Sequence, residues 1–192
     1  TENKETAHGI AVRAQGRDIV SEAFRIIRTN MDFMRVKSKN MQVVTFSSFG
    51  PGAGKTYVSS NLAASFAQTD KKVILIDMDI RKGTLTSHTR LHTKEKGMTS
   101  FLAGKATTDE IIKHNIFVDN VPVGVVADAA ITNRIADLTI FVVRVGKLDR
   151  RMLPEVEKIY RSGQLNNMSL VLNGAIVKTG GYGGYGYGYG YG

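Results

Sequence analysis

The sequence predicts an α/β domain, a mostly parallel sheet with helices on both faces. Three observations carry that prediction. Apolar runs of strand length alternate with segments of helical spacing. A glycine-rich stretch, FGPGAGKTY over 49–57, joins one such run to an amphipathic segment. The apolar run 73–76 ends in Asp77 and Asp79, as in a strand buried on both faces that delivers acids to the carboxyl end of a sheet.

Taken in order, residues 1–17 are polar and read as a flexible lead-in. A helix is predicted over 18–36, with Phe24, Ile27, Met31 and Met34 on one face and Asp18 or Ser21 as cap. Glu22, Arg25 and Arg28, three apart, form a charged stripe suited either to solvent or to a second copy of the chain. After the glycine-rich loop, Val58, Leu62 and Phe66 continue an apolar helix face to about Gln68. The span 83–96 reads as a polar loop, in which His88 and His92 lack a third metal ligand and read as surface residues. Two short helices are expected around Ala103-Gly104-Lys105. Ile116, Phe117 and Val118 then lead into Asp119. A helix over 126–135, a strand over 139–143, a helix over 150–161 and a strand over 169–172 complete the alternation.

The loop's chemistry is legible from its residue types. Main-chain N–H groups cradle a phosphate only where the backbone comes close, which suits Gly50, Gly52 and Gly54. The following helix adds unsatisfied N–H donors and the positive end of its dipole. Lys55 supplies a mobile cation for the β and γ phosphates, and the Thr56 hydroxyl suits magnesium. The common form of this loop has glycine six residues before the lysine, where this chain has Phe49. Alternation along an extended chain puts Asp77 and Asp79 on one side, with Met78 opposite. Asp119 is a second candidate acid on the magnesium side. The fold class is thus P-loop NTPase-like.

With 192 residues and 42% hydrophobic content, the chain suits one domain with tails. The absence of cysteine excludes disulfides and thiolate metal sites. No apolar run approaches the roughly 20 residues needed to span a bilayer, and the polar start is no signal peptide, so the sequence reads as soluble. The net charge of +9 is scattered, without the interleaved aromatics of a base-stacking surface, so no nucleic-acid partner is expected. An acidic partner or an anionic membrane face suits it better, and a solvated surface better still. The end, GGYGGYGYGYGYG over 180–192, offers no core and reads as disordered. It carries Tyr182, Tyr185, Tyr187, Tyr189 and Tyr191, phenols on a backbone flexible enough to enter an active site. Its reach is roughly 40–45 Å fully stretched and about 20 Å as a coil.

GPGAGKT as a Walker A loop, ILIDMDIR as Walker A′, FVDNVP as Walker B, the E-x-x-R-x-x-R of Glu22, Arg25 and Arg28, GMTSFLAG from Gly97 and the tyrosine-rich end together resemble the BY-kinases. These are bacterial protein-tyrosine kinases of capsular and exopolysaccharide synthesis. The resemblance implies a P-loop kinase domain over 18–179 that uses ATP and Mg2+ to phosphorylate the C-terminal tyrosines of a neighbouring subunit. It implies a ring, often an octamer, mediated by the helix of Glu22, Arg25 and Arg28. It also implies a membrane-spanning activator, fused or separate, a reversing phosphatase, and a place at the cytoplasmic face of the membrane. On this reading ATP is held by Gly50, Pro51, Gly52, Ala53, Gly54, Lys55, Thr56 and Tyr57. Asp77 takes or orients the tyrosine hydroxyl. Thr56, Asp79 and Asp119 hold magnesium, and Lys55 stabilises the phosphoryl oxygens. Asn173 either contacts adenine, as in related ATPases, or serves a strand-end turn with Gly174.

One departure stands out. Asp79 and Asp119 are 40 positions apart, whereas the family carries a longer insert with a proline-rich stretch and a well-formed strand before Walker B. Either that segment is deleted or the sequence joins non-contiguous residues near Val118. The matching flanks and unmatched junction favour the join. Two rivals remain. A ParA/MinD-like positioning ATPase would have lysine at Gly50 and no tyrosine tail. A non-catalytic nucleotide-binding scaffold would not need Lys55, Asp77 and Asp79 together.

Overall fold

The computed structural model describes residues 10–37, 41–69, 71–77, 96–111, 117–119 and 134–175. They form α1 (Ile19–Lys37), β1 (Val44–Ser47), α2 (Lys55–Ala67), β2 (Leu75–Asp77), α3 (Met98–Leu102), α4 (Thr108–Ile111), β3 (Phe117–Asp119), β4 (Leu138–Arg144), α5 (Leu153–Arg161) and β5 (Ser169–Asn173). A single 3-10 turn, Arg150–Met152, runs into α5. All described strand pairs are parallel: β4 lies between β1 and β5, and β2 pairs with β3.

β4 organises the core because it is apolar on both faces. Leu138, Ile140 and Val142 pack with Phe24 and Met31 of α1 and Val58 and Leu62 of α2. Phe141 and Val143 pack with Val156 of α5, Leu165 and Met168. Alternation along one strand therefore binds a helical layer to each side of the sheet. α1 begins where predicted: the Asp18 carboxylate accepts from the Ser21 N–H at 2.9 Å and from the Ser21 hydroxyl at 2.7 Å. These bonds, the N–H first, hold the Asp18 carboxyl below its ordinary range. The two short helices around Gly104 are also present, and that glycine has φ +68°.

Two expectations change. Within residues 10–17, read as part of a flexible lead-in, Ala11 and Val12 lie against α2. Val12 is buried, and the Asn61 Oδ1 accepts from the N–H groups of Ala11 at 2.6 Å and Val12 at 3.1 Å. An inward asparagine on α2 supplies the acceptor that draws this segment in. The run 73–76 yields a strand of three residues that is not buried on both faces: Leu75 is buried while Ile74 and Ile76 are 64% and 38% exposed. Its described neighbours are β3 along one edge and α2. The helix expected over 126–135 lies mostly outside the described residues, and Arg134 and Ile135 form a turn. The histidines at 88 and 92 and the tail 180–192 also lie outside them.

Candidate active site

The phosphate loop connects β1 to α2. Gly52 and Gly54 have φ of +73° and +93°, the left-handed region that glycine enters without strain. An added Cβ at Gly54 would collide with the Asn173 amide, and one at Gly52 with the Lys147 ammonium. Gly50 meets neither demand: an added Cβ there has nothing within 4 Å. Gly54 caps α2 without a side-chain hydrogen bond, and the helix N-terminus it opens is a place where an anion is favoured. Phe49, in place of the common glycine, turns its ring edge-on to Phe141 at 5.4 Å and fixes the loop's entry to the β4 core.

Lys55 opens α2 with only 8% of its surface exposed. Its ammonium donates to the Ser48 Oγ at 3.2 Å, and that hydroxyl donates to the Gly50 carbonyl at 2.8 Å. A buried ammonium beside a serine hydroxyl, at a helix N-terminus and next to a cradle that a Cβ would fill, fits a polyphosphate. Thr56 follows on the first turn, partly exposed.

The acids arrive from β2 and β3. Asp77, half-buried, ends β2, and its Cα stands opposite that of Asp119 in the parallel register. Asp79 lies outside the described residues. Backbone pairing thus brings together two acids 42 positions apart, at the carboxyl ends of adjacent strands.

Asn173, the last residue of β5, donates its Nδ2 to the Ala53 carbonyl at 2.9 Å, tying the phosphate loop to β5, and Gly174 follows at φ +76°. Tyr57 packs edge-on against Phe24 of α1, with ring centroids 6.1 Å apart. That contact joins α1 to α2, and burial, helped by the Asp18 charge, pushes the Tyr57 phenol pKa up. Glu22, Arg25 and Arg28 make contacts within the chain. Arg25 pairs with Glu22 and donates to the Gly16 carbonyl, while Arg28 donates to the Ser65 carbonyl and, at 3.1 Å, to its hydroxyl. Sequence reasoning missed Ser48 and Lys147. The second had a signal, since it follows the carboxyl end of β4, the strand next to β1, where ligands of such sheets bind.

Fold and loop define a P-loop nucleotide-binding domain. A family profile described as AAA domain matches residues 41–161, and the chain belongs to that family. Among sequence relatives, tyrosine-protein kinase YwqD of Bacillus subtilis is 27% identical, with 92% of this chain and 90% of that protein aligned. A putative tyrosine-protein kinase in the cps region of Klebsiella pneumoniae is 30% identical over 86% of this chain, which spans only 28% of that protein. The solved kinase domain of Escherichia coli tyrosine kinase ETK superposes with a TM-score of 0.71 at 26% identity, covering 86% of this chain and 80% of that one. The shared tyrosine-kinase name agrees with the resemblance read from the motifs. The two sequence alignments run over 217 and 207 residues, longer than the 192 of this chain, so these relatives carry residues without counterpart here. Such an excess accords with the short interval between Asp79 and Asp119.

Proposed function

We propose that this chain is an ATP-dependent protein-tyrosine kinase domain that phosphorylates the tyrosines of a neighbouring subunit's tail, Tyr182, Tyr185, Tyr187, Tyr189 and Tyr191, in the control of capsular or exopolysaccharide synthesis. The observation that carries it is the buried Lys55 at the N-terminus of α2, next to a glycine cradle, on a domain whose adjacent strands end in Asp77 and Asp119. The relatives' names and the five tail phenols turn that nucleotide site toward tyrosine.

A phenol with a pKa near 10 arrives protonated at neutral pH. Asp77 accepts or orients that proton as the phenol oxygen bonds to the γ-phosphorus and the bond to the bridging oxygen breaks, leaving ADP. Lys55 and the loop N–H groups hold the phosphoryl oxygens, whose charge spreads in the loose transition state. Thr56, Asp119 and Asp79 would hold magnesium, which when bound neutralises phosphate oxygens. Asn173 keeps the Ala53 carbonyl, and with it the loop, in place.

A ring accounts for transfer between subunits. α1 leaves Ile19, Ile26 and Phe33 exposed at 58%, 40% and 68%, seven residues apart on one stripe beside Glu22. Since Arg28 braces α2, that stripe with Glu22 is the better candidate for subunit contact. The membrane-spanning activator, the phosphatase and the cytoplasmic membrane face belong to the same proposal. No described helix is long and apolar enough to cross a membrane.

The test is mass spectrometry of the full chain after incubation with ATP and magnesium. Several phosphates are expected between Tyr182 and Tyr191, with the signal below about one hundredth in Lys55→Met and in Asp77→Asn. ATP hydrolysis with an unmodified tail would replace this reading by a positioning ATPase.

A further inference from the structure

We propose that Lys147 is a second phosphate-binding cation of the nucleotide site, reaching the phosphate loop from the neighbouring strand. The inference rests on the nucleotide reading of the loop and goes beyond the Walker residues. Lys147 lies three residues past the end of β4. The chain turns back there: Gly146 has φ +76°, and the N–H groups of Lys147 and Leu148 both donate to the Arg144 carbonyl at 3.2 Å. Leu148 is anchored against the cluster of Phe49 and Phe141, so the turn is held beside the residue that enters the loop. The result is an ammonium at Gly52, so close that a Cβ on that glycine would collide with its Nζ.

Electrostatics gives this placement its meaning. The loop already presents N–H donors and the positive end of α2, and Lys55 adds a charge nearby. An ammonium reaching the loop beside these groups is well placed to share an anion bound there. The acid nearest to it in sequence, Asp149, is occupied: it caps the 3-10 turn by accepting from the Arg151 N–H at 2.9 Å, and it pairs with that guanidinium at 2.6 Å. Among the described residues no carboxylate holds Lys147. The chemistry that completes the cluster is the phosphate chain of a nucleoside di- or triphosphate, gripped by Lys55 from the helix side and by Lys147 from the β4 side.

Binding of a fluorescent ATP analogue with magnesium to the full chain tests this, using wild type, Lys147→Gln and Lys147→Arg. Lys147→Gln should weaken affinity about five- to tenfold, as befits one exposed charge-assisted contact. Its dependence on salt should be shallower, Lys147→Arg should stay near wild type, and the melting temperature without nucleotide should not move. Equal affinity and equal salt dependence in wild type and Lys147→Gln would overturn the role of Lys147. Absence of ATP binding by wild type would instead overturn the reading of the loop on which the inference rests.

Discussion

β4 and β2 look alike on paper and behave differently in the fold. LTIFVVR and the run through Leu75 to Asp77 are both largely apolar, and both pair in parallel with their neighbours. Yet six of β4's seven residues are buried, whereas Ile74 and Ile76 on either side of Leu75 stand exposed. Neighbours make the difference: among the described residues β4 has a strand on each edge and helices on both faces, while β2 has β3 along one edge and α2. An apolar run reports that a segment is suited to burial on two sides. Whether both sides are covered depends on elements elsewhere in the chain. The β4 side ties down the phosphate loop, through the Phe49–Phe141 contact and the Asn173–Ala53 hydrogen bond, while the β2–β3 pair carries Asp77 and Asp119 at its carboxyl end.

The largest expected effect sets the two strands directly against each other. Phe141→Ala removes a fully buried ring that touches Phe49 and the α5 cluster, and should cost about 3–5 kcal/mol in denaturant unfolding. Ile74→Ala, made beside β2, should cost less than about 0.5 kcal/mol. If Ile74→Ala proves as costly as a core truncation, the outer face of β2 is covered in solution and the contrast is lost.

A smaller effect probes how β1 is fastened to β4. Asp137, just before β4, accepts from the N–H groups of Gln42 and Val43 at 2.8 Å each, and its own N–H donates to the Val43 carbonyl at 2.8 Å. The Val43 and Gln42 donors lower the Asp137 pKa from its ordinary 3.8. A carboxyl depressed in the folded state binds protons more weakly than in the unfolded chain. Its stabilising contribution is therefore complete above the unfolded value and is lost as pH falls through the folded one. Hydrogen exchange of the Gln42 and Val43 amides should accelerate, relative to the β4 amides, once pH drops below about 4. In Asp137→Asn that extra acid sensitivity should vanish. An unchanged acid response in Asp137→Asn would show that the β1–β4 joint titrates elsewhere.

The parts of this architecture legible in the sequence are those written in periodicity and local chemistry. The faces of α1 and α2, the alternation of β4, the Asp18 cap and the glycines of the loop each depend on residues within a few positions of one another. What escaped depends on meetings across the chain. Arg28 reaches Ser65, Asn61 reaches Ala11 and Val12, and Asn173 reaches Ala53 across 120 positions. In each case a polar side chain satisfies a backbone group that no pattern marks in advance. Spacing puts Glu22, Arg25 and Arg28 on one stripe but does not foretell their contacts within the chain, Arg25 with Glu22 and Gly16, and Arg28 with Ser65 of α2. The pairing of Asp77 with Asp119 was expected only as a common destination, since register is set by the ladder and not by either strand alone.

The smallest expected effect lies at the end of β1, where the tightly packed ladder gives way to the phosphate loop. Ser47 is 2% exposed and pairs in register with Phe141, and its Oγ has no hydrogen-bond partner among the described residues. Thr45, two residues earlier and on the same face, has such a partner in Thr139 at 3.2 Å. A buried hydroxyl without a bond loses its hydration and gains nothing in return, so Ser47→Ala should be neutral or stabilising by up to about 1 kcal/mol, an inversion of the usual result of truncating a core residue. Thr45→Val at the bonded position should be mildly destabilising under the same denaturant titration, because it leaves Thr139 unpaired. If Ser47→Ala is instead the costlier of the two, the hydroxyl is engaged in solution, and the packed side of the domain extends one residue further into the loop than β4 alone would carry it.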